Sequence, residues 1–496
     1  MSYYTQTWLQ SGARSFGVEF EVIVPWVWDD EKDPHEEFAD KLSPILRVPS
    51  SLKETLADER QSMMGNIRIY IYSQFVEAFR AHGLPVFDVE TAWEIKPDVS
   101  LSAPRRDFKW VDMEIISPAE RASPEAFQAI RHAMSLLTST YRMIVNNTCG
   151  LHVHVGDGPE LMPLQHVKRV IGLIWAADPL LSRLHPPHRR GTYYAPSIRE
   201  RSNLAHGSNA EQTGLHRTER NCYRYIGDEL RHGELPISWR EENQEEHQIE
   251  AYEKTREPGH FEPFVWKDSD DEVREVEGEK MHSSPLDPIS GAADNSGINI
   301  HAKKYMASIR NGYVYSNAPY VSIRSRTIPR VTHPVLTAEE INIPGLDMKA
   351  FDYSGVFAGV EEIFVSESSC ILAWLLGPVE RPNYNIGMYR CYWLQDRDGR
   401  PGTIEFREAA GTVDAQWAEI WARICVGLTD FAIHAPVNVY LDVLSNIDSA
   451  EAGGAPYDVL DLLEQVGLFA EAEFAEKRLI KNREAWELEF IPNAES

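Results

Sequence analysis

Four short segments set acidic, imidazole or guanidinium side chains at every second position among apolar ones. That spacing puts them on one face of a β-strand. In GVEFEVI, Glu19 and Glu21 alternate with Val18, Phe20 and Val22, and in VDMEII, Asp112 and Glu114 alternate with Val111, Met113 and Ile115. In GLHVHV, His152 and His154 face away from Leu151, Val153 and Val155, and in TIEFRE, Thr403, Glu405 and Arg407 face away from Ile404 and Phe406. Singly, each segment also fits a solvated strand edge, and the H-x-H pair fits a metal site, a proton-transfer pair or a half-exposed strand. Gathered in one sheet, they would crowd carboxylates, imidazoles and a guanidinium on one face, and the charge repulsion there calls for cations.

Carboxylate-rich sites select hard divalent cations, Mg²⁺ or Mn²⁺, and imidazole adds a neutral ligand that Mn²⁺ accepts. Mg²⁺ held by a few carboxylates commonly takes substrate phosphates as well, so a nucleotide is the natural partner. Arg407, beside Glu405, would then clamp phosphate. In YVSIRSRTI, Arg324 and Arg326 share one face of an expected strand and could grip phosphates too.

The elements that must position these groups read as follows. The first strand covers 16–26, with further strands at 89–95 and 111–116. A helix near 56–82 ends at Gly83, a C-terminal cap. Ser123-Pro124 opens another helix as N-cap and first-turn proline, and Phe127, Ile130, Met134, Leu137 and Tyr141 keep its period. Helices follow at about 164–183 and from Thr412 to about Ala435, and the chain after 440 is helical, with 471–490 as a charged amphipathic helix. These elements describe a catalytic domain over 1–440 and a helical appendage over 441–496. Within the domain, about 205–300 forms an acidic, solvated insertion without periodicity.

Composition sets the limits. With 496 residues and a net charge of −27, the chain lacks the clustered basic surface that nucleic acids or anionic membranes need. Five scattered cysteines without C-x-x-C spacing point to reduced thiols in a cytoplasmic protein. The N-terminal residues lack the pattern of a signal peptide, and no apolar run suits a transmembrane helix.

The segments GVEFE (17–21), EIISP (114–118), NNTCGLHVHVG (146–156), YN (384–385) and TIEFREAAGT (403–412) stand in the order found in one family. On them, the chain resembles the putative amidoligase family of the carboxylate–amine ligase superfamily. The resemblance implies an α+β, glutamine-synthetase-like fold: a mostly antiparallel sheet with a polar active-site face, helices on the other face, and C-terminal helices. It implies ATP with two or three Mg²⁺ or Mn²⁺ ions, held by Glu19, Glu21, Glu114, His152 and Glu405. Arg407 corresponds to the arginine that neutralises the transferred phosphoryl group, and His154 to a nucleotide or substrate contact. The segment HPPHRRGTYYAP (185–196) resembles a family R…Y element through Arg190, and WEIKPDVSL (93–101) resembles a D-G-S-L element with Val99 in place of glycine.

The implied reaction activates a small-molecule or peptide carboxylate as an acyl phosphate, which an amine then attacks. A phosphotransferase on the same scaffold, an inactive nucleotide- or protein-binding relative, and a metallohydrolase built on the histidine pair are the alternatives.

Overall fold

The computed structural model describes residues 14–54, 60–86, 92–98, 100–104, 108–158, 161–189, 194–205, 320–322, 324–332, 355–366, 369–377, 382–389, 402–453, 456–486 and 488. The acidic segment expected at about 205–300 and Arg190 lie outside them. The chain divides into two compact units: a sheet unit of Ser11–Val155 and Phe406–Val426, and a mainly helical unit whose described residues fall within Gly156–Glu405 and Gly427–Ser496. No helix among the described residues is long and apolar enough to cross a membrane.

The sheet unit is α+β with an open, mostly antiparallel sheet. Its strands are β1 (Ser15–Trp28), β2 (Leu46–Val48), β3 (Glu94–Lys96), β4 (Lys109–Ile116), β5 (Glu120–Arg121), β6 (Gly150–Gly156) and the greater part of β8 (Thr403–Ala410). The order is β3-β4-β1-β6-β8, with β2 parallel to the end of β1 and β5 antiparallel to its start. In the β1–β4 register, Glu21 stands opposite Glu114 and Glu19 opposite Ile116; in the β3–β4 register, Lys96 stands opposite Glu114.

Helices cover the apolar face. They are α2 (Arg60–Ala81), α3 (Pro124–Thr140) and the first part of α8 (Ala415–His434), while the short α1 (Ser51–Glu54) packs on α2. Phe127 of α3 stacks on Phe16 with centroids 4.6 Å apart. Phe79 of α2 lies 5.1 Å from Trp93, which is parallel to Phe20 at 6.5 Å. Val18, Val22, Met113, Ile115, Leu151, Val153, Val155 and Phe406 are fully buried, so the alternation read in four strands is the in-and-out alternation of this sheet. The caps form as the sequence indicates. The Ser123 hydroxyl accepts from Ala126 N–H at 3.2 Å, and Gly83 ends α2 with a φ of 76° that glycine adopts without strain.

Two motif residues prove to be fasteners. Ser117, after the E-I-I run, accepts the Val18 N–H at 2.8 Å and donates to Pro118 O at 3.0 Å, fixing β4 against β1. The N-N-T-C-G run is a turn into β6: Asn146 Oδ1 accepts from Thr148 N–H at 2.9 Å, and Cys149 N–H reaches Asn146 O at 3.1 Å. Cys149 is buried there, and its carbonyl accepts from Gly411 N–H at 2.8 Å.

The helical unit contains α4 (Leu164–Leu181), α5 (Ile198–Arg201), α6 (Gly355–Val365), α7 (Ser369–Leu376), β7 (Tyr384–Asn385), the end of α8, α9 (Val437–Glu451), α10 (Val459–Gln465) and α11 (Phe469–Asn482). Arg169 of α4 donates to the carbonyls of Ala432 and Ala435, satisfying the C-terminus of α8. The last helix stops at Asn482, short of the expected 490.

The strand expected over 89–95 is three residues long and begins at Glu94. The strand expected around Arg324 and Arg326 does not form; that segment is irregular.

A Cβ added at Gly411 would lie 2.5 Å from Cys149 Cβ and 3.1 Å from its carbonyl carbon, both fixed by the turn. Gly411→Ala should therefore destabilise the sheet unit by about 1–3 kcal/mol. Urea unfolding followed by tryptophan fluorescence measures this, and an unchanged midpoint would contradict the close approach.

Candidate active site

The polar face of the sheet unit gathers Glu19, Glu21, Glu114, His152, His154, Lys96 and Arg407. Glu21 and Glu114 are cross-strand neighbours because β1 and β4 pair in that register, and His152 comes from β6 on the other side of β1. His152 is 2% exposed, Glu21 5% and Glu114 8%, so the cluster is largely withdrawn from water.

His152 sits at its centre. Its Nδ1 lies 3.0 Å from Glu19 Oε2 and 3.4 Å from Arg407 Nη1, and its Nε2 lies 3.6 Å from Glu21 Oε1. His154, more open to solvent, places Nε2 3.1 Å from Glu19 Oε1. Glu21 Oε2 accepts a short hydrogen bond from Gly150 N–H, tying the start of β6 to β1. Lys96 Nζ lies 2.9 Å from Glu114 Oε2.

The charge states follow from this packing. Burial works to raise Glu19, but His154 and His152 outweigh it and hold the carboxylate ionised well below its usual range. Burial, followed by the charge of Glu19 and a hydrogen bond to it, pushes Glu114 up to about 8, against the pull of Lys96. Burial likewise raises Glu21, opposed first by His152. At neutral pH this favours the protonated form of Glu114 beside the ionised Glu19.

The donor set suits a divalent cation. One ligand atom each from Glu19, Glu114 and His152 lies within 4.8 Å of the other two, close enough to converge on one ion. Two carboxylate oxygens and an imidazole nitrogen match Mn²⁺ and, with water completing the shell, Mg²⁺.

The other residues singled out in the sequence are Glu405, Asp112, Arg324 and Arg326. Glu405 belongs to the helical unit, where its Oε2 accepts from Asn385 Nδ2 at 2.8 Å. Asp112 shares the polar face by register, but it lies beyond the short β3, and Arg68 of α2 binds it at 3.1 Å.

Arg324 and Arg326 do not present a shared strand face to phosphate. Arg324 pairs with Glu464 at 3.1 Å and with Glu476, while Arg326 pairs with Asp458 at 2.6 Å and Asp461 at 3.1 Å. All four carboxylates are buried in the helical unit, where they require these guanidiniums as counter-charges. Asp458 also caps α10, with Asp461 completing its capping box.

Lys96 was not singled out by sequence. Its signal was nonetheless there, since Glu94 and Lys96 alternate with Ile95 in the same way as the other polar strand residues. Glu408 breaks the alternation: it is 5% exposed on the side of Ile404 and Phe406. Burial, and then its charge, push up the buried Cys425 thiol of α8.

A family model described as "Putative amidoligase enzyme" matches residues 12–262, a span holding Glu19, Glu21, Glu114, His152 and His154. No curated protein and no solved structure matches the chain.

A divalent cation bound here must displace the Glu114 proton. Mn²⁺ affinity should therefore rise about tenfold per pH unit up to roughly pH 8 and level off above it. Titrations followed by electron paramagnetic resonance between pH 6 and 9 measure this, and a flat profile would contradict the assignment of Glu114.

Proposed function

The chain belongs to the putative amidoligase family, whose members are ligase-type enzymes, and on that premise we propose that it is an ATP-dependent carboxylate–amine ligase. The observation that carries this reading is the convergence of Glu19, Glu114 and His152, with Arg407 3.4 Å from the same imidazole. We read the open sheet, polar on one face and helix-covered on the other, as a glutamine-synthetase-like fold.

In the proposed reaction, a carboxylate oxygen of the first substrate attacks the γ-phosphorus of ATP. ADP leaves and an acyl phosphate forms. The second substrate, an amine, attacks the acyl carbon, loses a proton and expels inorganic phosphate. Divalent cations supply neutralisation of the phosphate charge in this chemistry.

The chain's own residues have separate tasks. Glu19, Glu114 and His152 hold cation, and Glu21 and Glu405 are assigned as further ligands from the family motifs. Arg407 is always cationic and stands among these acids, so it is placed to stabilise charge on the transferred phosphoryl group. His154, at the more open end of the pair, is assigned to nucleotide or substrate. No covalent nucleophile is required, and the buried Cys149 has a packing task already.

Purified protein in Mg²⁺-ATP should release ADP only when a carboxylate and an amine are both supplied, with mass detection of the conjugate. Arg407→Ala should slow this release by about a thousandfold. Release with one acceptor and a stable phosphorylated product would replace the ligase reading with a phosphotransferase. Unchanged turnover in the variant would remove Arg407 from the site.

A further inference from the structure

One charged side chain on the polar face has no task in the proposed reaction. Lys96 is the last residue of β3, the edge strand of the sheet unit, and stands opposite Glu114, which in turn stands opposite Glu21. The three form a row across β3, β4 and β1, with the ammonium at its outer end. The Lys96 side chain is 43% exposed and that of Glu114 only 11%, so the lysine reaches inward from the rim to a mostly buried carboxylate.

The contact is specific. Lys96 Nζ lies 2.9 Å from Glu114 Oε2, and Glu114 also hydrogen-bonds toward Glu19, so its carboxyl group is held between a fixed donor and the cluster. A glutamate has three side-chain torsions, and without a second anchor a ligand of this length is free to turn from the ion. Holding one oxygen on an ammonium restrains the carboxyl group within reach of Glu19 and His152. Outer partners of this kind orient ligands around metals generally.

We propose that Lys96 is a positioning residue that orients Glu114 for divalent-cation binding. This rests on the cation-site reading above and assigns a residue that the family motifs do not. The competing account makes Lys96 a plain counter-charge. The two differ in sign. A positive group beside a cation site repels the incoming ion, so deleting a mere counter-charge tightens cation binding. Deleting a positioning group weakens it, despite the relief of repulsion.

The test titrates the full-length protein with Mn²⁺ alone, read by electron paramagnetic resonance, comparing wild type with Lys96→Met, Lys96→Arg and Glu114→Gln. Circular dichroism confirms that each variant is folded. Lys96→Met should weaken Mn²⁺ binding by about 10–100-fold, while Lys96→Arg, which keeps charge and donor, stays within about threefold of wild type. Unchanged or tighter binding in Lys96→Met, or equal weakening in both lysine variants, overturns the proposal while leaving the cation site standing. No binding to wild type, or none lost in Glu114→Gln, removes the cation site itself and the proposal with it.

Discussion

The sheet unit is organised around a cost: Glu21 and Glu114 are withdrawn from water next to an ionised Glu19. Carboxylates this close cannot all remain charged without positive partners. The fold supplies them from several directions. Lys96 comes from the edge strand and Arg407 from β8, while the imidazoles of His152 and His154 reach Glu19 from β6. Glu114 is still pushed up to about 8, by burial first and then by the charge of Glu19. In the proposed reading a hard cation completes this balance, and the ATP chemistry depends on it.

The rest of the sheet unit makes that arrangement rigid. The carboxylates face one another because β1 and β4 hold their register through the long antiparallel ladder, with Ser117 bonded across its end. His152 stays in place because β6 enters through the Asn146–Cys149 turn, against which Gly411 packs without a side chain. Glu21 ties Gly150 to β1, so a residue facing the cluster also anchors the neighbouring strand. The aromatic contacts on the opposite face pack the sheet tightly.

Much of this was legible in the sequence because the period of a strand is two. Glu19, Glu21, Glu114 and His152 could be assigned to one face by counting, and the register brought them together. The same counting failed at YVSIRSRTI. Alternation there came without a sheet partner, and the carboxylates that capture Arg324 and Arg326 lie more than 130 positions later in the chain. Such long-range pairings leave no local pattern. Lys96 is weakly marked for a different reason: its alternation with Glu94 around Ile95 spans only three residues. Ser117 and Gly411 were visible as motif letters, but their tasks, a cross-strand hydrogen bond and a close backbone approach, exist only once the strands are folded.

The central claim is that Glu19, Glu114 and His152 surround a divalent cation. Anomalous scattering from crystals grown with Mn²⁺ and a non-hydrolysable ATP analogue tests it most directly. The account expects a manganese peak at about 2.0–2.3 Å from an oxygen of Glu19, an oxygen of Glu114 and a nitrogen of His152. Manganese bound elsewhere, with Glu19, Glu114 and His152 still bonded only to one another, would contradict it.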